Sequence, residues 1–348
     1  MSESKIPIEN IYYLLCYSWN QLDASNRIRV SASDYTQYID LFAKVLNNGC
    51  SYIFKRGLDR TYKNEFEELT QVHGKIDFKN NLRNLSVPIL RLHCDFDELS
   101  QDILHNQIIK ATLNKLLRVK NLDRSIRLEL LEVYKRFLHI SDIALTSNHF
   151  AKVNLHRNNL FYRFVLNVAF IIHENISLNE DTGSYEFIDF VRDEKKMAKL
   201  FEHFVRNFFK EALRNSDFNV GSETIMWNVT QKGDNNIDFL PIMKTDISLT
   251  SPNRKIIIDT KYYAECLNEY YDKEKIISAN LYQMYAYVKN AEVQGGSAIN
   301  SEGLLLYPTV SKEHSITNII DNHKITIKTI NLNQHWRLIR NDLLEIIN

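Results

Sequence analysis

Glycine and proline are scarce in this 348-residue chain, at 9 and 5 residues, and no low-complexity tract interrupts it. That composition excludes a fibrous or largely disordered protein. It also leaves no glycine-rich loop of the GxxxxGK or GxGxxG type, so nucleotide hydrolysis tied to this protein must lie in another chain. Cysteine is equally thin: Cys16, Cys50, Cys94 and Cys266 lie far apart, with no CxxC pair and no Cys/His cluster. Neither a zinc site nor a disulfide framework is expected. Charge of one sign is missing too, since Lys plus Arg and Asp plus Glu both number 43. A stand-alone nucleic-acid binder ordinarily carries a basic surplus, so affinity for a polyanion would be local or borrowed from a partner. No apolar run reaches the length of a membrane span and no signal peptide is visible, which points to the cytoplasm.

What is present is a rich apolar set, with 18 Tyr and 18 Phe, in a chain whose length makes two domains the default. Residues 6–20 and 34–47 read as helices, and Ser51–Leu92 mixes short strands with turn residues. Asp97–Val119, Asp123–Leu138 and His156–Glu174 carry helical apolar spacing. Asp181-Thr182-Gly183-Ser184 is the best turn signal between the halves, which sets the domains at 1–183 and 184–348. The expected class is α/β: a mixed α+β N-terminal domain, then an α/β domain.

The most informative residues lie in the C-terminal third. Leu240–Thr250 and Lys255–Tyr263 read as strands joined by Ser251-Pro252-Asn253-Arg254, where proline suits a type I turn. Centring the turn between Pro252 and Asn253 sets Asp246 opposite Asp259, on one face with Lys261. Ile256, Ile257 and Ile258 mark a strand buried on both faces. A carboxylate ending such a run is costly to bury, and a second one facing it adds repulsion. A divalent cation would relieve both, and hard oxygen donors with room for water favour Mg²⁺. Lys261 would then orient the attacking water or stabilise a phosphoryl oxygen. A salt-bridged structural hairpin fits these residues equally well when they stand alone.

Neighbouring segments add to the case. Glu194–Arg214 is a strongly amphipathic helix with Glu202 beside its apolar stripe, a candidate auxiliary acid or a solvated residue. Lys273–Asn290 reads as a second helix, on which Gln283 and Tyr287 share a face, to bind base or phosphate or simply to pack. Gly303–Pro308 follows as an apolar strand. Helix, hairpin, helix, strand is the order of the restriction-endonuclease-like core written PD-(D/E)xK.

Thr245-Asp246, the Asp259-Thr260-Lys261-Tyr262-Tyr263 block and Asn280-Leu281-Tyr282-Gln283 resemble the McrC family, the nuclease subunits of McrBC modification-dependent restriction systems. Ile6–Leu15, Arg56-Gly57-Leu58, Gly74–Phe78, Phe96–Asp102 and Asn106–Lys110 extend the likeness over nearly the whole chain. The resemblance implies a Mg²⁺-dependent endodeoxyribonuclease with Asp246, Asp259 and Lys261 as its catalytic set. The Thr260 carbonyl would help the aspartates hold metal, and Glu202, Gln283 and Tyr287 would be auxiliary. Hydrolysis would leave a 5′-phosphate and a 3′-hydroxyl. It further implies a hexameric AAA+ GTPase partner of the McrB type, which binds the GTP, and a double-stranded DNA substrate bearing modified cytosine. The N-terminal domain would engage that ring and stimulate it. Arg56 and Arg60, near Gly57, are candidates for a projecting coupling tip between Ser51 and Thr61. Two rivals are a repair or recombination nuclease with another motor, and a non-cutting module that only activates a GTPase.

Overall fold

The computed structural model describes residues 6–19, 37–83, 91–178, 185–188, 191, 193–229, 239–262, 267–270, 273–310 and 313–348. The expected boundary turn at Asp181–Ser184, the residues Asp34–Thr36 and Tyr263 lie outside them. The chain divides into two compact units. One comprises Gln37–Ile188; the other joins Asp189–Asn348 to the N-terminal helix α1 (Ile8–Ser18). A cut at 183 that assigns all of residues 1–183 to one domain is therefore corrected. The cause is aromatic packing: Tyr17 meets Phe204 and Phe208 with ring centroids 5.6 Å away in each case. The Asn10 side chain also donates to the carbonyls of Leu332 and Gln334, at 2.8 and 2.7 Å.

In the 37–188 unit, α2 (Tyr38–Arg56) runs further than its sequence pattern suggests, because buried Leu46, Cys50 and Ile53 continue its apolar face. Gly57 ends it at φ 88°, a conformation open to glycine. β1 (Thr61–Leu69), β2 (Lys75–Ile76), the short α3 (Phe78–Arg83) and β3 (Leu92–Ser100) follow. They form a three-stranded sheet in the order β1-β3-β2. The helix expected from Asp97 starts only at Leu104, because β3 pairs with β1 as far as Ser100 opposite Thr61. Then come α4 (Leu104–Leu117), α5 (Arg124–Lys135), α6 (Ser147–Ala151) and α7 (Tyr162–Asn175), and a ribbon of β4 (Ile176–Leu178) with β5 (Tyr185–Phe187). At the root of the small sheet, Asn106 donates to the carbonyls of Asp59 and Gln101, and Tyr162 donates to Asn106.

The predicted tip at Ser51–Thr61 is also corrected. Ser51 to Arg56 is the closing part of α2, and Arg60 directly precedes the root of β1. Arg56 lies over the Phe161 ring at 4.6 Å and donates to the Tyr52 hydroxyl.

The second unit is built on α8 (Glu194–Ala212) and a mixed six-stranded sheet. Its strands include β6 (Asn219–Gly221), β9 (Ile247–Thr250) and β10 (Lys255–Thr260); β7 (Thr224–Ile225) pairs with β8 (Met243–Lys244) outside it. β11 (Leu267–Tyr270) and β12 (Lys273–Ile276) form a hairpin, so the helix expected from Lys273 begins as α9 at Ser278 and ends at Ala291. β13 (Glu302–Thr309), β14 (Ser315–Ile320), β15 (His323–Asn331) and α10 (Trp336–Leu344) complete it. The sheet order is β14-β15-β13-β10-β9-β6, with β10, β13 and β15 mutually parallel. α9 crosses over between β10 and β13, and Met284 and Val288 bury its inner face against Ile257 and Leu305. Every residue of β10 is buried, as the triple isoleucine requires.

Candidate active site

Pairing of β9 with β10 sets Thr250 against Lys255 and Ile247 against Ile258. That is the expected register, and one step beyond it Asp246 reaches Asp259 and Thr260. The expected strand Leu240–Thr250 is interrupted at this point. Thr245 turns inward, its amide donating to the Glu223 carbonyl and its hydroxyl sharing a hydrogen with Ser248. The break frees Asp246 from the ladder. Its Oδ2 accepts from the Thr260 amide at 2.8 Å and the Thr260 hydroxyl at 2.9 Å.

Asp259 is 1% exposed. Burial pushes its carboxyl up to about 6; Lys261 opposes the rise, while the Asp246 and Glu202 charges add to it. Lys261 Nζ pairs with Asp259 Oδ2 at 2.9 Å. Lys261 also donates to Gln283 Oε1 at 3.0 Å. Gln283 Nε2 donates to the Tyr287 hydroxyl at 2.7 Å, and Tyr287 donates to the Lys244 carbonyl at 3.0 Å. Burial raises the Tyr287 phenol, which keeps it a donor at neutral pH. The relay fixes the lysine from α9 and anchors α9 to the strand leading into Asp246.

The structure thus brings Asp246, Asp259, Thr260, Lys261, Glu202, Gln283 and Tyr287 into one neighbourhood. Arg56 and Arg60 belong to the other unit. Glu202 is not a free acid, because it pairs with Arg206 one helical turn away. Sequence reasoning passed over Arg206, whose Nε and Nη2 donate to the Asp246 carbonyl at 3.0 and 2.8 Å. Its spacing from Glu202 reads as an ordinary surface pair on an amphipathic helix. Nothing local in the sequence announces the bond to a loop forty residues on.

The donor set suits a hard cation. Two carboxylates, Asp246 and Asp259, meet at one end of a buried strand. No group of three or more His, Cys, Asp or Glu converges among the described residues. A hard cation such as Mg²⁺ takes one or two carboxylates and keeps several waters. No helix is long and apolar enough to cross a membrane among the described residues.

Comparison with known proteins agrees over almost the full length. The chain is 32% identical over 346 residues to the type IV methyl-directed restriction enzyme EcoKMcrBC of Escherichia coli K12, covering 99% of this chain and 98% of that one. Its fold matches a chain in the refined half-complex from a tetradecameric assembly of Thermococcus gammatolerans McrB AAA+ hexamers with bound McrC. The TM-score is 0.58 at 17% identity, covering 96% of this chain and 76% of that one. The family described as McrBC 5-methylcytosine restriction system component matches residues 7–308. The chain therefore belongs to that family, on its McrC side.

Proposed function

We propose that this protein is the DNA-cleaving subunit of a modification-dependent restriction complex, with a PD-(D/E)xK-type site at Asp246, Asp259 and Lys261. The observation that carries the reading is Asp259: a buried carboxylate, raised by burial, flanked by a second carboxylate and paired with a positioned lysine. A structural salt bridge would not require an aspartate at the end of a fully buried strand. Asp246, Asp259 and the Thr260 carbonyl would hold Mg²⁺. When bound, Mg²⁺ neutralises charge at the phosphodiester and makes a coordinated water more acidic. Lys261, held by Gln283 and Tyr287, orients the nucleophilic water and faces the charge that develops on a non-bridging oxygen. Arg206 and Thr260 keep Asp246 in place. Hydrolysis leaves a 5′-phosphate and a 3′-hydroxyl.

The substrate is DNA carrying methylated cytosine, and the partner is an AAA+ GTPase ring of the McrB type. Those expectations draw on the family and on the McrB-bound chain of similar fold. The β1-β3-β2 sheet is the part we assign to the partner. The sheet exposes Tyr62 and Leu99, and the adjoining loop and α3 expose Val72, Phe78 and Leu82. The test is reconstitution with the neighbouring GTPase on a methylated duplex. Asp259→Ala and Lys261→Ala should each lower cleavage by at least about a thousandfold while GTPase stimulation persists. Full cutting by both variants would sink the site, and unstimulated GTP hydrolysis with wild-type protein would sink the partner.

A further inference from the structure

The chain has no overall basic surplus, so contact with a polyanion has to be concentrated somewhere. α8 shows where. Its buried face is Met197, Leu200, Phe201, Phe204, Val205, Phe208 and Phe209. On the opposite side Lys195, Lys199, Glu202, Arg206 and Lys210 follow one another at steps of three and four residues, which is a single stripe. Lys195, Lys199 and Lys210 are exposed, and none joins an ion pair among the described residues. The one acid in the stripe, Glu202, is neutralised by Arg206.

One anchor ties this face to the catalytic strands: Arg206 bonds the Asp246 carbonyl through Nε and Nη2. The stripe therefore passes the segment that carries Asp246, with Lys210 one turn beyond Arg206 and Lys199 one turn before Glu202. At 1.5 Å per residue, Lys195 to Lys210 spans about 22 Å, the axial length of about six base pairs.

We infer that Lys195, Lys199 and Lys210 form a rail that carries the phosphate backbone of double-stranded DNA across the cleavage site. The occupant follows from charge complementarity and from continuity with the two aspartates, and the assignment rests on the nuclease reading above. The alternative is a solvated polar helix face, which would leave DNA affinity untouched.

The experiment measures binding of the full-length protein to a duplex of about twenty base pairs by fluorescence anisotropy, between about 50 and 200 mM salt. Replacing all three lysines by glutamine should weaken binding about tenfold or more. The slope of log affinity against log salt should shrink by about two to three, near 0.9 per lost phosphate contact. The matching triple arginine variant should bind like wild type. In the GTPase-containing complex, the glutamine variant should cut about tenfold more slowly with GTPase stimulation unchanged. Unchanged affinity and slope overturn the rail, as does an equal loss in the arginine variant. Asp259→Ala run alongside separates the failures. If it still cuts, the nuclease reading falls; if it binds normally, cannot cut, and the glutamine variant also binds normally, only the rail falls.

Discussion

Burying Asp259 at the end of a strand of isoleucines stores a charge-dependent penalty in the folded protein. In an unfolded chain an aspartate titrates near about 3.9, whereas in the fold Asp259 is pushed up to about 6. Between those values the folded state holds a proton that the unfolded state has released. The stabilising contribution of this group is thus complete below about pH 4 and lost as pH rises towards about 6, a change on the order of 3 kcal/mol. Asp259→Asn removes the titration and keeps the shape. In metal-free buffer it should be more stable than wild type by about 1–3 kcal/mol at pH 8, and the gap should close by pH 4. Urea denaturation at the two pH values checks this; a gap of equal size at both would mean that the carboxyl is not desolvated as described. Added Mg²⁺ should narrow the difference at pH 8 by stabilising only the wild type.

At the scale of elements, α9 lies so close to β13 that a single methyl group matters. A Cβ on Gly303 would stand 2.7 Å from Met284 Cγ and Sδ and 3.2 Å from Val288 Cγ1. Gly303→Ala should cost about 1–3 kcal/mol in thermal unfolding, and adding Met284→Ala should recover part of the loss. If Gly303→Ala is neutral, α9 can lift from the sheet without penalty, and the anchoring of Lys261 through Gln283 is looser than drawn. The same scale shows what the sequence could reveal. The hairpin register was legible because Pro252 fixes the turn and Ile256–Ile258 permit only a doubly buried strand. The break at Thr245 was not legible, since the apolar spacing continues across it and its cause is the distant Glu223 backbone. Asp97 and Glu98 look like the acids of a helix start, yet they pair with Asn64 and Lys63 across β1. Lys273–Ile276 was likewise drawn into a hairpin by a partner strand. Within the site, the side chains of the hairpin and α9 could be named from spacing, whereas Arg206 acts through a backbone atom that no pattern marks.

For the whole molecule, the placement of α1 decides which fragments can stand alone. Residues 184–348 without α1 would bare Phe204 and Phe208, so the C-terminal half is not an independent folding unit. Tyr17→Ala should lower the stability of that unit by about 2–4 kcal/mol, read as faster amide exchange in α8. Unchanged exchange there would detach α1 from the C-terminal core. The bonds from Asn10 to Leu332 and Gln334 also set an order of events during synthesis. Their partners lie 322 and 324 residues downstream. At roughly 5–20 residues per second, the opening helix waits on the order of half a minute before its acceptors leave the ribosome. The unit built on α8 cannot close over Asn10 until residues 332–334 have been made, so a nascent chain stopped short of them carries Asp246 and Asp259 without the finished scaffold around them.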